Sequence, residues 1–216
     1  MNMKRCLPSL FIGAICSCLL SCGDTDDNTD EVVIPITYVA PQEYSVYSAL
    51  IEELFMKGRE DSIPETFVIR DHTSASIFVM DDGSPDSTMG YVCKKMPNLE
   101  KETLDDFLTR NGQSYPLESQ FQVEIPYTFI SEEEQSEIFT NERAWDEFYE
   151  KYPESQGIMI LSRVGFNRRA DQAFVFMGNQ SHWLAGSGLC ILLDRIIIAE
   201  KGEAWVVQNE VLVWVS

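Results

Sequence analysis

The stretches IMILSRVGF, residues 158–166, and QAFVFM, residues 172–177, decide the fold class. Both are rich in apolar, β-branched or aromatic residues, and the mostly polar residues 167–171 between them are few enough for a hairpin turn. Two further β-rich segments, 188–198 and 204–216, follow. Because short connections join antiparallel strands, whereas parallel strands need long crossovers, these segments predict a C-terminal antiparallel meander.

Amphipathic helices precede this sheet. Apolar residues at helical spacing predict helices over 44–57 and 97–110, and Ser131 with Glu134 has the pattern of a capping box that starts a third helix. Asn141 can cap a fourth helix, which carries an aromatic stripe. The residues that we expect on the buried faces are Tyr47, Leu50, Ile51, Leu54, Phe55, Leu104, Phe107, Leu108, Trp145, Phe148, Tyr149 and Tyr152.

Extended segments are also expected between the helices. Thr66–Arg70 reads as a strand, 76–80 as a second extended piece, and 121–130 as a strand that Pro126 confines to a sheet edge or a bulge. Helices first and an antiparallel sheet last predict an α+β fold. We expect one domain, 44–216, in which N-terminal and central helices pack on a mainly antiparallel C-terminal meander sheet.

The N-terminus has the layout of a signal peptide. Lys4 and Arg5 precede an apolar run, 6–20, which is too short to cross a hydrocarbon core of about 30 Å as a helix. The run ends in LLSC, with Cys22 last, and this ending resembles the bacterial lipobox. The resemblance implies cleavage before Cys22 and lipidation of its thiol, with acyl chains such as palmitate as the anchor. The alternative is an ordinary signal peptide with a chance cysteine.

An acidic segment follows the cysteine. The sequence GDTDDNTDE, residues 23–31, has five acidic and no apolar residues, so it cannot bury enough surface to fold. It is a simple spacer or, alternatively, resembles the surface-export signal of Bacteroidetes lipoproteins. The chain therefore divides into a signal peptide (1–21), a lipidated acidic tether (22–43) and a domain (44–216). We expect it at the cell envelope, on the outer membrane or cell surface of a Gram-negative bacterium.

The charge of the chain limits its partners. Loss of Lys4 and Arg5 with the signal peptide takes the formal net charge from −19 to −21. Nucleic acid is excluded as a partner, because its phosphates are bound by clustered basic residues. The same charge opposes adsorption to anionic headgroups, so the lipid must hold the protein at the membrane. The remaining partners are a small anionic ligand or an envelope protein.

Motifs for catalysis or cofactor binding are missing from the sequence. It contains no G-x-S-x-G elbow, no phosphate-binding loop, no G-x-G-x-x-G and no C-x-x-C. We expect no cofactor and no metal, since His72, Cys93, His182 and Cys190 lack the close spacing of zinc ligands. Cys93 and Cys190, the cysteines left beyond Cys22, either pair or remain buried free thiols, and we favour free thiols.

One segment hints at a function. In LSRVGFN, residues 161–167, Arg163 lies beside Gly165 and could bind a carboxylate through two hydrogen bonds. The alternative is an internal ion pair with one of the many acids. If the meander brings strand ends and the long loop 178–187 together, a site for a small anionic ligand results. Its candidate residues are Asp71, His72, Arg163, Asn167 and His182.

Several segments resemble a known family. VIRDHT at 68–73, WDEFY at 145–149, LSRVGFN at 161–167 and the terminal WVS are similar to segments in a family of exported bacterial proteins of unknown function. The likeness covers most of residues 44–216. It implies export and a single domain, and it implies no mechanism.

These observations favour a lipid-anchored envelope protein that binds a ligand or a protein and is not an enzyme. The alternative is an envelope hydrolase with an unrecognised active site. Its candidate residues are His72 or His182, with Asp71, and Ser162 or Ser187. The two hypotheses differ in whether a histidine and a carboxylate meet in one concave pocket.

Overall fold

The computed structural model describes residues 38–57, 63–75, 85–199 and 202–216, which belong to one compact unit. The predicted signal peptide, most of the tether and the extended piece expected over 76–80 lie outside these residues. None of the described helices combines the length and the apolar composition that a membrane span requires.

Five α-helices and seven strands make up the described chain. The helices are α1 (Pro41–Ile51), α2 (Pro85–Lys95), α3 (Lys101–Arg110), α4 (Glu132–Ile138) and α5 (Ala144–Lys151). The strands are β1 (Thr66–Arg70), β2 (Tyr127–Ile130), β3 (Ser155–Leu161), β4 (Gly165–Phe166), β5 (Gln172–His182), β6 (Ala185–Ile198) and β7 (Gly202–Val215). A π-helical turn, Glu52–Met56, extends α1.

The seven strands form one mixed sheet in the order β2-β1-β3-β5-β6-β7, with β4 paired to β5. From β3 onward every pairing is antiparallel, which confirms the predicted meander. β1 instead lies parallel to both of its neighbours, β2 and β3. The strand expected over 121–130 is wrong in its first part, because β2 begins only after Pro126, but β2 does lie at an edge of the sheet as expected. The predicted α+β class is therefore confirmed. The pairing of β1 with β2 and β3 adds a parallel part to the antiparallel meander.

Helices cover both faces of the sheet, so strands alternate between two apolar layers. On β5, Val175 packs in the cluster that contains α1, whereas Phe174 and Phe176 pack in the cluster that contains α2 and α3. A third cluster places Trp145 and Phe148 of α5 against β1, β2 and β3. The aromatic stripe predicted for this helix is therefore part of the core.

Two features of the sheet differ from the prediction. The strand expected over 158–166 is broken at 162–164, between β3 and β4. The loop expected over 178–187 is wrong, because β5 and β6 continue as paired strands as far as His182 and Ala185. Polar residues and glycines in this segment suggested a loop, but they form a largely half-buried part of the ladder in which, for example, Asn179 pairs with Ser187.

The helices also differ from the prediction. α1 begins at Pro41, three residues before the expected start, and α3 begins at Lys101, four residues after its expected start. α2 was not expected, because Gly90 weakens its helical pattern, and the packing of Met89 and Val92 against the sheet stabilises it. Leu108 was expected in the core and is 46% exposed. The buried face of α3 runs through Thr103 and Phe107 instead.

The two cysteines of the domain are both free. Cys190 is buried in the sheet, and burial raises the pKa of its thiol to about 12. Cys93 is exposed on α2, so the expectation of two buried thiols is wrong for this residue.

Candidate functional site

Arg163, the residue that the sequence singled out, lies in the break between β3 and β4 and is only 1% exposed. Its guanidinium donates two hydrogen bonds to Glu43 of α1, from Nε to Oε2 at 2.9 Å and from Nη2 to Oε1 at 2.7 Å. Burial alone would lower the pKa of Arg163, but the hydrogen bonds to Glu43 and the negative charge of its carboxylate, with smaller contributions from Tyr47 and Tyr115, together raise the pKa. This is the internal ion pair, the alternative that the sequence left open.

Glu43 is fixed by the start of α1. Its Oε1 accepts a hydrogen bond from the backbone N–H of Ala40 at 3.1 Å, which is the reciprocal half of a capping box. Its Oε2 also accepts from the N–H of Val164 at 2.9 Å. Arg110 of α3 approaches the same carboxylate, with Nη1 3.5 Å from Oε1. The carboxylate of Glu43 is therefore surrounded by donors from three parts of the chain.

The backbone of the break is also held in place. Asn111 accepts a hydrogen bond from the N–H of Arg163 at 2.8 Å and donates to its carbonyl at 3.1 Å. The hydroxyl of Tyr47 donates to the carbonyl of Ser162 at 2.7 Å. Next to it, α3 crosses Gly165 so closely that an added Cβ would lie 2.4 Å from the Cβ of Phe107. The break is a closed, packed part of the core.

An open cavity of about 510 Å³ lies nearby, at the carboxyl ends of β1 and β2. Arg70 ends β1 and pairs in register with Ile130, which ends β2. α4 follows at once, capped as predicted by Ser131, whose Oγ accepts from the N–H of Glu134 at 3.1 Å. The residues that line the cavity are Arg70, Asp71, His72, Thr73, Ser74, Ala75, Ser114, Glu132, Gln135, Ser136 and Phe139. Carboxyl ends of parallel strands are a common place for ligand sites.

Arg70 has no counter-ion within the described residues. Its Nε is buried without a hydrogen-bond partner, and no described carboxylate lies within 4.0 Å of its guanidinium. Each of the other described arginines has a carboxylate within that distance. They are Arg110, Arg143, Arg163, Arg168, Arg169 and Arg195. In a chain with a formal net charge of −19, an arginine without a carboxylate partner among the described residues is unusual.

Two acids of the cavity lie near Arg70 without pairing with it. Burial lowers the pKa of the Arg70 guanidinium, and the negative charges of Glu132 and Asp71 oppose that shift. The carboxylate of Asp71 contacts the ring of His72, with Oδ1 2.9 Å from Nδ1. Glu132 lies in the first turn of α4, where the backbone N–H groups favour negative charge.

The structure separates the residues predicted to form one site. Asp71 and His72 line the cavity, whereas Arg163, Asn167 and His182 are not among its lining residues. Asn167 holds the turn after β4, donating to Asp171 at 2.7 Å and to Glu100 at 3.0 Å. His182 ends β5 and stacks on Trp145, with ring centroids 6.3 Å apart.

Arg70 was not predicted as a site residue from the sequence, although it lies in the VIRDHT segment, residues 68–73. The available signal was a basic residue between the apolar part of a strand and the polar run Asp71, His72 and Thr73. That signal gains meaning only through the parallel pairing of β1 with β2, which are far apart in the chain.

No group of three or more potential metal ligands occurs among the described residues. The chain matches no protein-family model, and comparison with characterised proteins and with solved structures yields no significant match.

Proposed function

We propose that this chain is a lipid-anchored envelope protein whose domain binds a small anionic ligand at Arg70 and acts as a binding protein. One observation carries the proposal: Arg70 lines an open cavity and is the one described arginine that has no described carboxylate within 4.0 Å. The cavity, at about 510 Å³, falls in the size range of small-molecule sites.

The chemistry of Arg70 supports an anionic ligand. A carboxylate that accepts from a guanidinium forms a strong, two-point contact. Because Nε is buried, we expect the ligand to meet the terminal nitrogens of Arg70. Hydroxyl and amide side chains of Ser136 and Gln135 line the same cavity and supply further hydrogen bonds.

The test is a calorimetric titration of the full-length protein with N-acetyl-L-phenylalanine and, separately, with its uncharged methyl ester. The acid should bind and the ester should not, and Arg70→Gln should abolish binding of the acid. Arg195→Gln is the matched control, because Arg195 pairs with Glu203 and lines no part of this cavity. Equal binding of the acid by wild type and Arg70→Gln would refute the proposal.

The anchor rests on Cys22 and the lipobox-like ending before it. We expect Cys22→Ser to remove lipid from the protein and release it from membranes, because two or more acyl chains are needed for stable attachment. The measurement is incorporation of radiolabelled palmitate, together with the distribution between membrane and soluble fractions. Palmitate on the Cys22→Ser protein would contradict the proposal.

A hydrolase remains a second candidate because a histidine and a carboxylate do meet in the cavity. His72 and Asp71 lie 2.9 Å apart there, and Ser114 and Ser136 line the same space. Ser162, a serine that the sequence suggested, is fully buried.

The discriminating experiment compares hydrolysis of para-nitrophenyl acetate by wild type, His72→Asn and the control His182→Asn. A loss of hydrolysis that is specific to His72→Asn would favour the hydrolase. Equal rates for all three proteins would favour a binding protein.

A further inference from the structure

We infer that the cavity at Arg70 takes a zwitterion of the α-amino acid class, with the ligand's carboxylate at Arg70 and its ammonium at Asp71 and Glu132. The inference rests on the proposed function and names the ligand class for the same site. It follows from the arrangement of three charges around one cavity.

The three charged groups line one cavity without an ion pair between Arg70 and either acid. Arg70, Asp71 and Glu132 all line the cavity, and neither acid lies within 4.0 Å of the guanidinium. Backbone hydrogen bonds fix the main chain of Asp71, whose N–H donates to Ile130 and whose carbonyl accepts from Leu117. The capped start of α4 fixes the main chain of Glu132. The guanidinium and the two carboxylates therefore border the same space.

The balance of charge selects the ligand. A simple anion would satisfy Arg70 and would face two carboxylates, whereas a simple cation would satisfy the acids and leave Arg70 unpaired. A ligand with one negative and one positive group complements both sides, and such complementarity provides specificity. An ammonium group also offers three hydrogen-bond donors to the two carboxylates.

The wall of the cavity indicates an apolar side chain on the ligand. Glu132, Gln135, Ser136 and Phe139 lie at helical spacing and line the cavity together. Along this side of the cavity, the lining therefore changes from the charged Glu132 to the aromatic Phe139. An amino acid whose ammonium meets Glu132 would place its side chain toward Phe139, so L-phenylalanine is a suitable probe.

The test is a calorimetric titration of the full-length protein with three probes: L-phenylalanine, N-acetyl-L-phenylalanine and L-phenylalaninamide. The wild type should bind L-phenylalanine at least about 10-fold more tightly than either derivative, since each derivative lacks one charge-assisted contact. Arg70→Gln should weaken both acids about 10-fold or more. Glu132→Gln should weaken L-phenylalanine about 10-fold and leave N-acetyl-L-phenylalanine unchanged or tighter.

Glu133→Gln is the matched control, because Glu133 lies in the same helical turn and does not line the cavity. Asp71→Asn provides a second acid variant, and thermal melting checks that each variant is folded. If both acids bind equally and both depend on Arg70, the anion site stands and the zwitterion inference is overturned. If neither acid binds, the proposed anion site fails as well.

Discussion

Arg163 and Arg70 lie at the same end of one sheet and form opposite kinds of site. Arg70 ends β1 and Arg163 closely follows the end of β3, and these two strands are parallel neighbours. A hydrogen bond of 2.8 Å from the N–H of Ser74 to the carbonyl of Leu161 joins the segments that follow the two strands. Glu43 pairs with Arg163 and shields it, whereas Arg70 faces a cavity and has no carboxylate partner in the described part of the chain.

The difference depends on the helix that supplies the acid. α1 brings Glu43 to Arg163 at two-point hydrogen-bond distance, and the capping box of α1 fixes the carboxylate there. α4 brings Glu132 to the cavity of Arg70 and leaves it more than 4.0 Å from the guanidinium. A strand-end arginine is thus part of the scaffold in one place and available to a ligand in the other.

The largest expected effect on stability comes from breaking the buried ion pair between Arg163 and Glu43. Arg163→Leu should lower the free energy of unfolding by about 3–5 kcal/mol, because it leaves the buried carboxylate of Glu43 with less compensation. Urea unfolding of wild type and variant measures the loss. A loss below about 1 kcal/mol would show that Arg163 does not hold the break.

The double variant Glu43→Leu with Arg163→Leu sharpens this test. Its loss should be smaller than the sum of the two single losses, since neither charge is then left alone. It should not be neutral, because the N–H groups of Val164 and Ala40 lose their acceptor, at about 1–3 kcal/mol for a buried donor. Additive losses would mean that the two residues act independently.

A smaller effect is expected at Gly165. Its added Cβ would lie 2.4 Å from the Cβ of Phe107 and 2.5 Å from its backbone N, so Gly165→Ala must displace α3. Overpacking of this kind costs about 1–3 kcal/mol. Gly90→Ala on α2 is the control, because nothing lies within 4 Å of the added Cβ and the change favours the helix by about 0.5–1 kcal/mol. Equal melting temperatures for the two variants would contradict the close packing.

The smallest effect on stability is expected at Arg70, which lines the open cavity. Arg70→Gln removes no ion pair to a described carboxylate, and Nε has no described hydrogen-bond partner to lose, so stability should change by less than about 1 kcal/mol. The same urea unfolding experiment that tests Arg163 provides the comparison. A loss as large as that of Arg163→Leu would show that Arg70 is structural.

The sequence could predict the features that depend on local patterns. Segments rich in β-branched and aromatic residues, joined by short turns, identified the meander, and the spacing of Tyr47, Leu50 and Ile51 identified the buried face of α1. α2 was not predicted, because this helix depends more on packing against the sheet than on the helix propensity of its own residues, which include Gly90.

The two arginine sites needed contacts that no local pattern reveals. Glu43 is the last residue of the predicted tether and lies 120 residues from Arg163 in sequence, so its charge suggested an exposed position rather than the core. The parallel pairing of β1 with β2 brings Arg70 next to the start of α4. A sequence pattern shows that both arginines lie near strand ends, and only the fold shows which one meets an acid.

A crystal structure of the protein grown with L-phenylalanine tests the central claim most directly, through the surroundings of the Arg70 guanidinium. We expect the ligand's carboxylate at hydrogen-bond distance from the terminal nitrogens of Arg70. The ligand's ammonium should donate hydrogen bonds to the carboxylates of Asp71 and Glu132. Arg163 should keep both hydrogen bonds to Glu43. An empty cavity, with Arg70 in an ion pair with Asp71 or Glu132 at less than 4.0 Å, would contradict it.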